Sequence, residues 1–336
     1  MTGKAPLLEI DRLSVEFRGR DETSRAVDDV SLSLNAGEIV AIVGESGSGK
    51  SVTSLAVMRL IPDPPGRIVA GRILLNGLDL ATLDEAALRR IRGKDMAMIF
   101  QDPMSSLNPV LSVGRQIGEA IQLHNGGDDI SIHARTIEVL KLVRIPQAEL
   151  RINQYPHELS GGMRQRVMIA MALSCGPQIL IADEPTTALD VTIQAQIMAL
   201  LRDLRERLGT AILLITHDLG VVAENADRVV VLYGGRKVEE GPVNDVIRNP
   251  RHPYTRGLIG SMPHLDNEIV AGERARLTEI QGHVPANAGG LPGCGFADRC
   301  ELADEHCHAV RPPLAQVEPG RLSACWKHEL LRENGI

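Results

Sequence analysis

The segment from Gly44 to Ser51 constrains the fold of this chain more than any other part of the sequence. It reads Gly-Glu-Ser-Gly-Ser-Gly-Lys-Ser, which matches the phosphate-binding loop pattern, and it lies between an apolar run at 38–43 and a helix-like run at 52–60. The motif requires this context, because a buried strand must enter the loop and a helix must leave it. The sequence therefore predicts a strand, a phosphate-binding loop and a helix over 38–60.

Each residue type in this loop suits a bound polyphosphate. The glycines allow the backbone to wrap the phosphates, Lys50 would reach the β- and γ-phosphates, and the Ser51 hydroxyl would bind Mg²⁺. The predicted nucleotide-contacting residues are Gly44, Glu45, Ser46, Gly47, Ser48, Gly49, Lys50 and Ser51. A Gly/Ser-rich turn that ends in Lys-Ser by coincidence is the alternative, and the flanking strand and helix patterns disfavour it.

Length and charge limit the class of protein. The 336 residues are enough for roughly two domains, and 43 acidic residues outnumber 36 basic ones without a dense basic block, so no nucleic-acid partner is predicted. The longest apolar runs are far shorter than the roughly 20 residues of a membrane helix. The first residues do not resemble a secretion signal. We therefore expect a cytoplasmic protein that reaches a membrane only through a partner.

The hydrophobic patterns predict an α/β fold in several parts. Strand-like runs at 7–17, 30–34 and 68–75 indicate an antiparallel β subdomain that flanks the phosphate loop. Helical patterns at 113–124 and 132–143 indicate an inserted helical subdomain over about 102–176.

From residue 178 onward, strand and helix patterns alternate, which is typical of a mainly parallel sheet with helices on both faces. Beyond residue 250, Pro, Gly and Cys become frequent and the periodicity fades. We predict an ATP-binding domain over 7–250 and a small cysteine-containing region over 251–336.

A second motif lies at the end of an apolar strand, where α/β sheets present groups to ligands. The run 179–182 is followed by Asp183 and Glu184. Asp183 would hold Mg²⁺, directly or through water, and Glu184 would polarise the attacking water. Two acids after a buried strand often have no role, but the upstream phosphate loop favours a functional interpretation of this pair.

A third motif begins a helix that is predicted over 164–174. It consists of Leu159, Ser160, Gly161, Gly162 and Met163. A serine and two bare backbone amides at a helix N-terminus form a second anion site without a lysine. The alternative is an ordinary N-capping serine with flexible glycines. With this motif, the sequence resembles the ATP-binding cassette (ABC) family, whose signature sequence is Leu-Ser-Gly-Gly.

The resemblance covers about 7–246 and implies roles for further residues. Gln101 is similar to the glutamine that senses Mg²⁺ and links the site to a transmembrane partner, and His217 to the histidine that contacts the γ-phosphate. Phe17 matches the aromatic residue that stacks on adenine, with an ordinary core phenylalanine as the alternative. A surface glutamine and a helix-capping turn are the corresponding alternatives for Gln101 and His217.

The family also implies that two cassettes pair head to tail. Each ATP is then held between the phosphate loop of one subunit and the signature helix of the other. Residues Ala188, Leu189 and Asp190 resemble the loop that crosses this dimer interface.

Three segments, at 100–109, 182–196 and 251–255, extend the resemblance to the ATPase subunits of bacterial dipeptide and oligopeptide permeases, of the dipeptide permease D type. This resemblance implies ATP hydrolysis coupled to peptide uptake at the cytoplasmic face of the cell membrane. The implied partners are a paralogous second ATPase, two transmembrane permease subunits and an extracytoplasmic solute-binding protein. The alternatives are an importer for nickel, glutathione or another small solute, and a non-transport ABC ATPase that acts on DNA or ribosomes.

Four cysteines are clustered in the C-terminal region, at Cys294, Cys300, Cys307 and Cys325. Because a reducing cytoplasm disfavours disulfides, the cluster indicates either a metal site or coincidence. Four thiolates suit either zinc or an iron–sulfur cluster. Some permease ATPases carry four cysteines that bind an iron–sulfur cluster, so the resemblance favours [4Fe–4S] over zinc, with free thiols as the remaining alternative.

Overall fold

The computed structural model describes residues 5–19, 22–102, 106–187, 190–262, 280–285 and 288–333. The strands are β1 Leu8–Arg18, β2 Thr23–Leu34, β3 Ile39–Val43, β4 Gly66–Leu75, β5 Leu78–Asp79, β6 Met96–Ile99, β7 Ile179–Asp183, β8 Ala211–Ile215, β9 Arg228–Tyr233, β10 Arg236–Pro242, β11 Ala315–Glu318 and β12 Arg321–Ser323. The α-helices are α1 Lys50–Val57, α2 Glu85–Ile91, α3 Val113–Asn125, α4 Asp129–Leu142, α5 Ala148–Arg151, α6 Gly161–Leu173, α7 Val191–Leu208, α8 Leu219–Asn225, α9 Val243–Arg248, α10 Pro253–Gly260, α11 Glu305–Ala309 and α12 Leu330–Glu333.

The chain folds into two compact units that each draw on several segments. The first unit comprises the described residues of Met1–Leu8, Leu34–Ile39 and Leu74–Ile215. The second comprises those of Glu9–Ser33, Val40–Ile73 and Thr216–Ile336. Each unit contains both strands and helices, so the predicted α/β class is confirmed.

The first unit is built on the parallel strands β6, β7 and β8. Met96 pairs with Ile179, and Ile181 pairs with Leu213. Every residue of these three strands is buried, which explains why their sequences are continuous apolar runs rather than alternating ones. At the C-terminal end of β7 this pattern is interrupted by the acidic Asp183, which is only 5% exposed.

Helices α3, α4 and α6 pack against one another in the same unit. Ser112 caps α3, since its hydroxyl accepts a hydrogen bond from the Arg115 N–H at 3.4 Å. Asp128 caps α4 in the same way through the Ser131 N–H at 2.8 Å. This cap explains why α4 begins at Asp129, three residues before the predicted start.

The second unit contains the strand order β2-β1-β4 and a further sheet with the order β11-β12-β10-β9-β3. Strand β3 is parallel to β9, with Val43 opposite Val231. The C-terminal residues contribute β12, which runs antiparallel to β10 with Ser323 opposite Glu239, and then β11. The cysteine-containing region therefore extends the same sheet that contains β3, the strand leading into the phosphate loop.

Candidate nucleotide-binding site

The phosphate loop of the second unit joins β3 to α1, as predicted. Gly44 and Gly49 have φ angles of +151° and +96°. A Cβ atom at Gly44 would lie 2.2 Å from the Leu232 carbonyl oxygen, and one at Gly49 would lie 2.5 Å from the Ala26 carbonyl oxygen. Only glycine fits both positions, because the backbone conformation and the neighbouring backbone atoms each exclude a side chain.

Lys50 is folded over this loop and is only 6% exposed. Its Nζ donates hydrogen bonds to the carbonyl oxygens of Gly44 at 2.8 Å and Glu45 at 3.0 Å. The Ser48 hydroxyl is buried, and no hydrogen-bond partner for it lies within the described part of the chain. A lysine charge held beside loop amides at a helix start fits the phosphates of a nucleotide. Helix α1 begins at Lys50 itself, two residues before the predicted start.

Two residues to which the sequence analysis gave no role in this site hold Glu45 in place. The Glu45 backbone N–H donates to the Tyr254 hydroxyl at 2.7 Å. The Glu45 carboxylate accepts hydrogen bonds from Arg299. These partners are 209 and 254 residues away in sequence, so no local pattern could have indicated them.

The acidic pair of the first unit has a distinctive local geometry. Asp183 ends β7, and Glu184, the next residue, has a φ angle of +47°. The Glu184 carboxylate accepts hydrogen bonds at Oε2 from Gln101 Nε2 at 2.9 Å and from the Thr187 hydroxyl at 2.8 Å. The structure thus brings together two predicted residues, Gln101 and Glu184, and adds Thr187.

Left-handed backbone at a non-glycine residue costs about 1–3 kcal/mol and persists where the surroundings fix it. At Glu184 the backbone N–H donates to the Ile215 carbonyl oxygen at 2.9 Å, and the side chain has the two donors described above. The backbone hydrogen bond fixes the position of Glu184, and the two side-chain hydrogen bonds fix the orientation of its carboxylate.

The signature segment lies at the start of α6, in the first unit. Leu159 is buried, whereas Ser160 is exposed and accepts a hydrogen bond from the Met163 N–H at 3.4 Å. A Cβ atom at Gly162 would lie 3.0 Å from the Ile193 side chain, so glycine allows α7 to approach closely here. The helix start and its serine are therefore open to solvent.

Of the predicted interface loop 188–190, which precedes α7, the structure describes only Asp190. Asp190 caps α7, because its Oδ1 accepts a hydrogen bond from the Ile193 N–H at 2.9 Å. Ala188 and Leu189 lie outside the described residues. The same holds for 103–105 in the segment that resembles the permease ATPases.

His217 and Phe17 both belong to the second unit. His217 is exposed and follows β8, and the adjacent Asp218 caps α8. Phe17 is half-buried, and its ring is so close to Gly66 that a Cβ atom there would lie 2.7 Å from it. The roles of both residues stay predictions.

The four clustered cysteines line a single cavity in the second unit, together with Phe296. None of them forms a disulfide. Burial raises the pKa of the Cys294 and Cys300 thiols, and it raises the pKa of Cys325 to about 12, so the neutral thiol is favoured. No group of three or more His, Cys, Asp or Glu residues within the described ranges is arranged to hold a metal ion. The described residues therefore show no preformed metal site, and the expected metal centre stays a prediction.

Comparisons with known proteins agree with the motifs. The sequence model of the ABC transporter family matches residues 27–187, and that of the oligopeptide/dipeptide transporter C-terminal region matches 238–307. A putative peptide import ATP-binding protein of Brucella abortus (strain 2308) is 54% identical over 96% of this chain and 97% of its own. A probable peptide ABC transporter ATP-binding protein of Sinorhizobium fredii is 50% identical over 96% and 95%, respectively.

A solved structure supports the same fold. The ATP-binding cassette MJ0796, in a dimeric post-hydrolysis state bound to ADP and Pi, superposes with a TM-score of 0.64 at 29% identity, covering 70% of this chain and 98% of its own. The chain is an ATPase of the ABC transporter family. Within that family, it belongs to the members that carry the oligopeptide/dipeptide transporter C-terminal region. Among the described helices, none is both long and apolar enough to cross a membrane.

Proposed function

We propose that this chain is the ATP-hydrolysing subunit of an ABC importer that takes up dipeptides or oligopeptides. The observation that carries the peptide assignment is the match of 238–307 to the oligopeptide/dipeptide transporter C-terminal region. Two relatives that align along nearly the whole chain support the same assignment: one is named a putative peptide import ATP-binding protein and the other a probable peptide ABC transporter ATP-binding protein. Nickel, glutathione or another small solute is the alternative cargo, because an ATPase subunit need not contact the cargo.

In this proposal, the phosphate loop binds the triphosphate of ATP. Lys50 neutralises the β- and γ-phosphates, and the loop amides donate to their oxygens. The support is the conformation of the loop, which only glycine can adopt at Gly44 and Gly49, and the position of Lys50 over it. Phe17 stacks on the adenine, and His217 contacts the γ-phosphate.

Mg²⁺, when bound, neutralises charge that develops on the transferred phosphoryl group. We assign its protein ligands to Ser51, Gln101 and Asp183, a hydroxyl, an amide and a carboxylate that suit this hard cation. Glu184 accepts a proton from water as the water oxygen attacks the γ-phosphorus, and the bond from that phosphorus to the ADP oxygen breaks. The two hydrogen bonds to Oε2 of Glu184 support this role, because they fix the carboxylate that takes the proton.

The signature residues, 159–163, would bind the ATP held by a second ATPase subunit, and the loop 188–190 would lie at the same interface. The exposed Ser160 at the start of α6 supports this arrangement. We expect the second ATPase to be a paralogue. Two transmembrane permease subunits and an extracytoplasmic solute-binding protein complete the transporter, which places this chain at the cytoplasmic face of the cell membrane.

An uptake experiment tests the cargo. Cells that lack this chain should lose uptake of a labelled dipeptide or tetrapeptide, and the wild-type chain should restore it. The Lys50→Ala chain should not restore it, because the phosphate loop then lacks its cation. Nickel and glutathione uptake in the same strains provide the comparison. Unchanged peptide uptake together with lost nickel or glutathione uptake would contradict the peptide assignment.

We also infer that the four clustered thiols bind a metal centre, with [4Fe–4S] preferred to zinc. The support is that all four line one cavity of the described structure, although their present arrangement does not form a ligand group. Four thiolates can ligate either centre. Anaerobically purified protein should be brown and contain about four irons per chain. Stoichiometric zinc would favour the alternative metal, and protein without bound metal would overturn the inference.

A further inference from the structure

Glu45, the second residue of the phosphate loop, forms an ion pair with a residue of the C-terminal region. Arg299 donates from Nη1 to Glu45 Oε2 at 2.7 Å and from Nη2 to Glu45 Oε1 at 2.9 Å. The guanidinium therefore grips the carboxylate with two parallel hydrogen bonds, which is the strongest geometry for such a pair. The Arg299 side chain is only 5% exposed and that of Glu45 is 29% exposed, so solvent screens the pair little.

The Arg299 side chain is held in place independently of Glu45. Its Nε donates to the Gln281 carbonyl oxygen at 2.8 Å, and Nη2 also donates to the Gly282 carbonyl oxygen at 3.2 Å. The guanidinium carbon lies 5.8 Å from the ring centre of Tyr233 and 5.7 Å from that of Phe296, which are cation–π distances. This arginine is thus pre-positioned by its own surroundings, unlike a surface arginine that loses side-chain freedom on pairing.

The backbone of Glu45 is held by the same part of the protein. Its N–H donates to the hydroxyl of Tyr254, a fully buried residue of α10. The Tyr254 ring packs edge-on against Tyr233, with ring centres 4.7 Å apart, and against Phe296 at 5.4 Å. Burial raises the pKa of the Tyr254 phenol, which keeps its hydroxyl neutral.

These contacts matter for the nucleotide because Glu45 is also linked to Lys50, whose Nζ donates to the Glu45 carbonyl oxygen at 3.0 Å. A shift of Glu45 would therefore disturb the lysine that contacts the phosphates. In addition, an unpaired carboxylate in a phosphate-binding loop would repel the triphosphate. Arg299 cancels this charge.

We propose that Arg299 is a positioning residue for ATP: it holds the phosphate loop through Glu45 and neutralises the carboxylate there, so that the C-terminal region sets the affinity of the loop for nucleotide. The inference rests on the proposed function only in that this loop binds ATP. The same backbone carries the clustered thiols, since Phe296 and Arg299 lie between Cys294 and Cys300. The C-terminal region that holds these thiols therefore contacts the phosphate loop directly, through Arg299 and Glu45.

Binding of ATP to four purified chains tests the proposal: wild type, Arg299→Gln, Glu45→Gln and the double variant. Arg299→Gln leaves the Glu45 carboxylate uncompensated and should weaken ATP binding by about 10-fold or more, because an unpaired partner costs more than the pair gains. In the double variant no such charge remains, so its affinity should lie near that of Glu45→Gln and above that of Arg299→Gln. Glu45→Gln also loses the hold of Arg299 on the loop but leaves no bare carboxylate, so it should weaken ATP binding less than Arg299→Gln does.

Two controls separate charge from folding. Arg299→Lys keeps the charge but loses the two-fold hydrogen bonding, so its affinity should lie between those of the wild type and Arg299→Gln. Arg256→Gln removes a positive charge from an exposed position of α10 and should leave ATP binding unchanged. Thermal melting of every variant reports whether it is folded.

The proposal is overturned if Arg299→Gln binds ATP as the wild type does, or if the double variant binds as weakly as Arg299→Gln. If Arg299→Gln does not fold, the comparison of Arg299→Lys with the wild type decides, and ATP binding by Arg299→Lys as tight as that of the wild type contradicts the proposal. A wild-type chain that binds no ATP would instead refute the proposed function.

Discussion

At the scale of single residues, the orientation of Glu184 depends on two neighbours of unlike type. Gln101 and Thr187 both donate to the same carboxylate oxygen, Oε2. Thr187 is thereby a candidate positioning residue, three residues beyond the carboxylate that it orients.

Removal of the Thr187 hydroxyl tests this role. Thr187→Ala should lower kcat by about 10-fold or more and change KM for ATP little, because a hydrogen bond to a charged group contributes about 1.5–3 kcal/mol. Thr187→Ser is the matched control, since it keeps the hydroxyl and should retain most of the activity. Steady-state ATPase kinetics measure both parameters. Equal loss of activity in the two variants would contradict a role for the hydroxyl.

Sequence reasoning found the residues of this site that belong to local patterns, and it missed those that depend on distant parts of the chain. The phosphate loop and the acidic pair were visible because a strand precedes each of them within a few residues. The contacts of Tyr254 and Arg299 with Glu45 could not be predicted, because each residue meets Glu45 only after the chain has folded back over more than 200 residues. The hydrogen bond from Thr187 also depends on the left-handed backbone of Glu184, which the sequence does not indicate.

At the scale of elements, the turn from β3 into α1 is fixed by neighbouring backbone. Gly44 approaches the Leu232 carbonyl oxygen of β9, the strand that pairs in parallel with β3. The backbone atoms of a paired strand cannot move away without breaking the hydrogen bonds of the sheet. The loop conformation is therefore a consequence of strand pairing as well as of its own glycines.

Two glycine substitutions separate these causes. Gly44→Ala places a Cβ atom 2.2 Å from the Leu232 oxygen and should weaken ATP binding by about 10-fold or more, because loop or strand must shift. Gly47→Ala meets no atom within 4 Å and carries only the strain of its φ of +80°, so its loss should be smaller. Nucleotide titration compares the two. A larger loss for Gly47→Ala would show that contact with β9 does not fix the loop.

The boundaries of elements were predicted less well than their existence, again for physical reasons. Helix α4 begins early because Asp128 caps it, and β2 begins seven residues before the predicted 30–34 strand. The first part of β2 is mostly exposed, so it lacks the apolar alternation that marks a half-buried strand.

At the scale of the whole molecule, the exposed signature helix start is the surface through which a second ATPase subunit would act. Ser160 caps α6 and is open to solvent. Each chain would then supply a phosphate loop to one ATP and a signature segment to another. Nucleotide binding and subunit pairing are linked in such an arrangement.

A bulky cationic side chain in place of Ser160 should distinguish association with the second ATPase from ATP binding at the phosphate loop. Ser160→Arg is expected to retain ATP binding at its own phosphate loop and to lose ATP-dependent association with the second ATPase, because the side chain fills the contact surface. Gln122→Arg, at an exposed position of α3, is the matched control. Analytical ultracentrifugation of the two co-purified ATPases, with and without ATP, measures the association. Unimpaired pairing of Ser160→Arg would argue against this surface.

The measurement that tests the account most directly is a paired determination of ATP binding and ATP turnover for Glu184→Gln. We expect this variant to bind ATP at least as tightly as the wild type, while turnover falls by about 10²- to 10⁴-fold because a general base is removed. Turnover within a few-fold of the wild type would contradict the role assigned to Glu184, and with it the proposed hydrolytic mechanism.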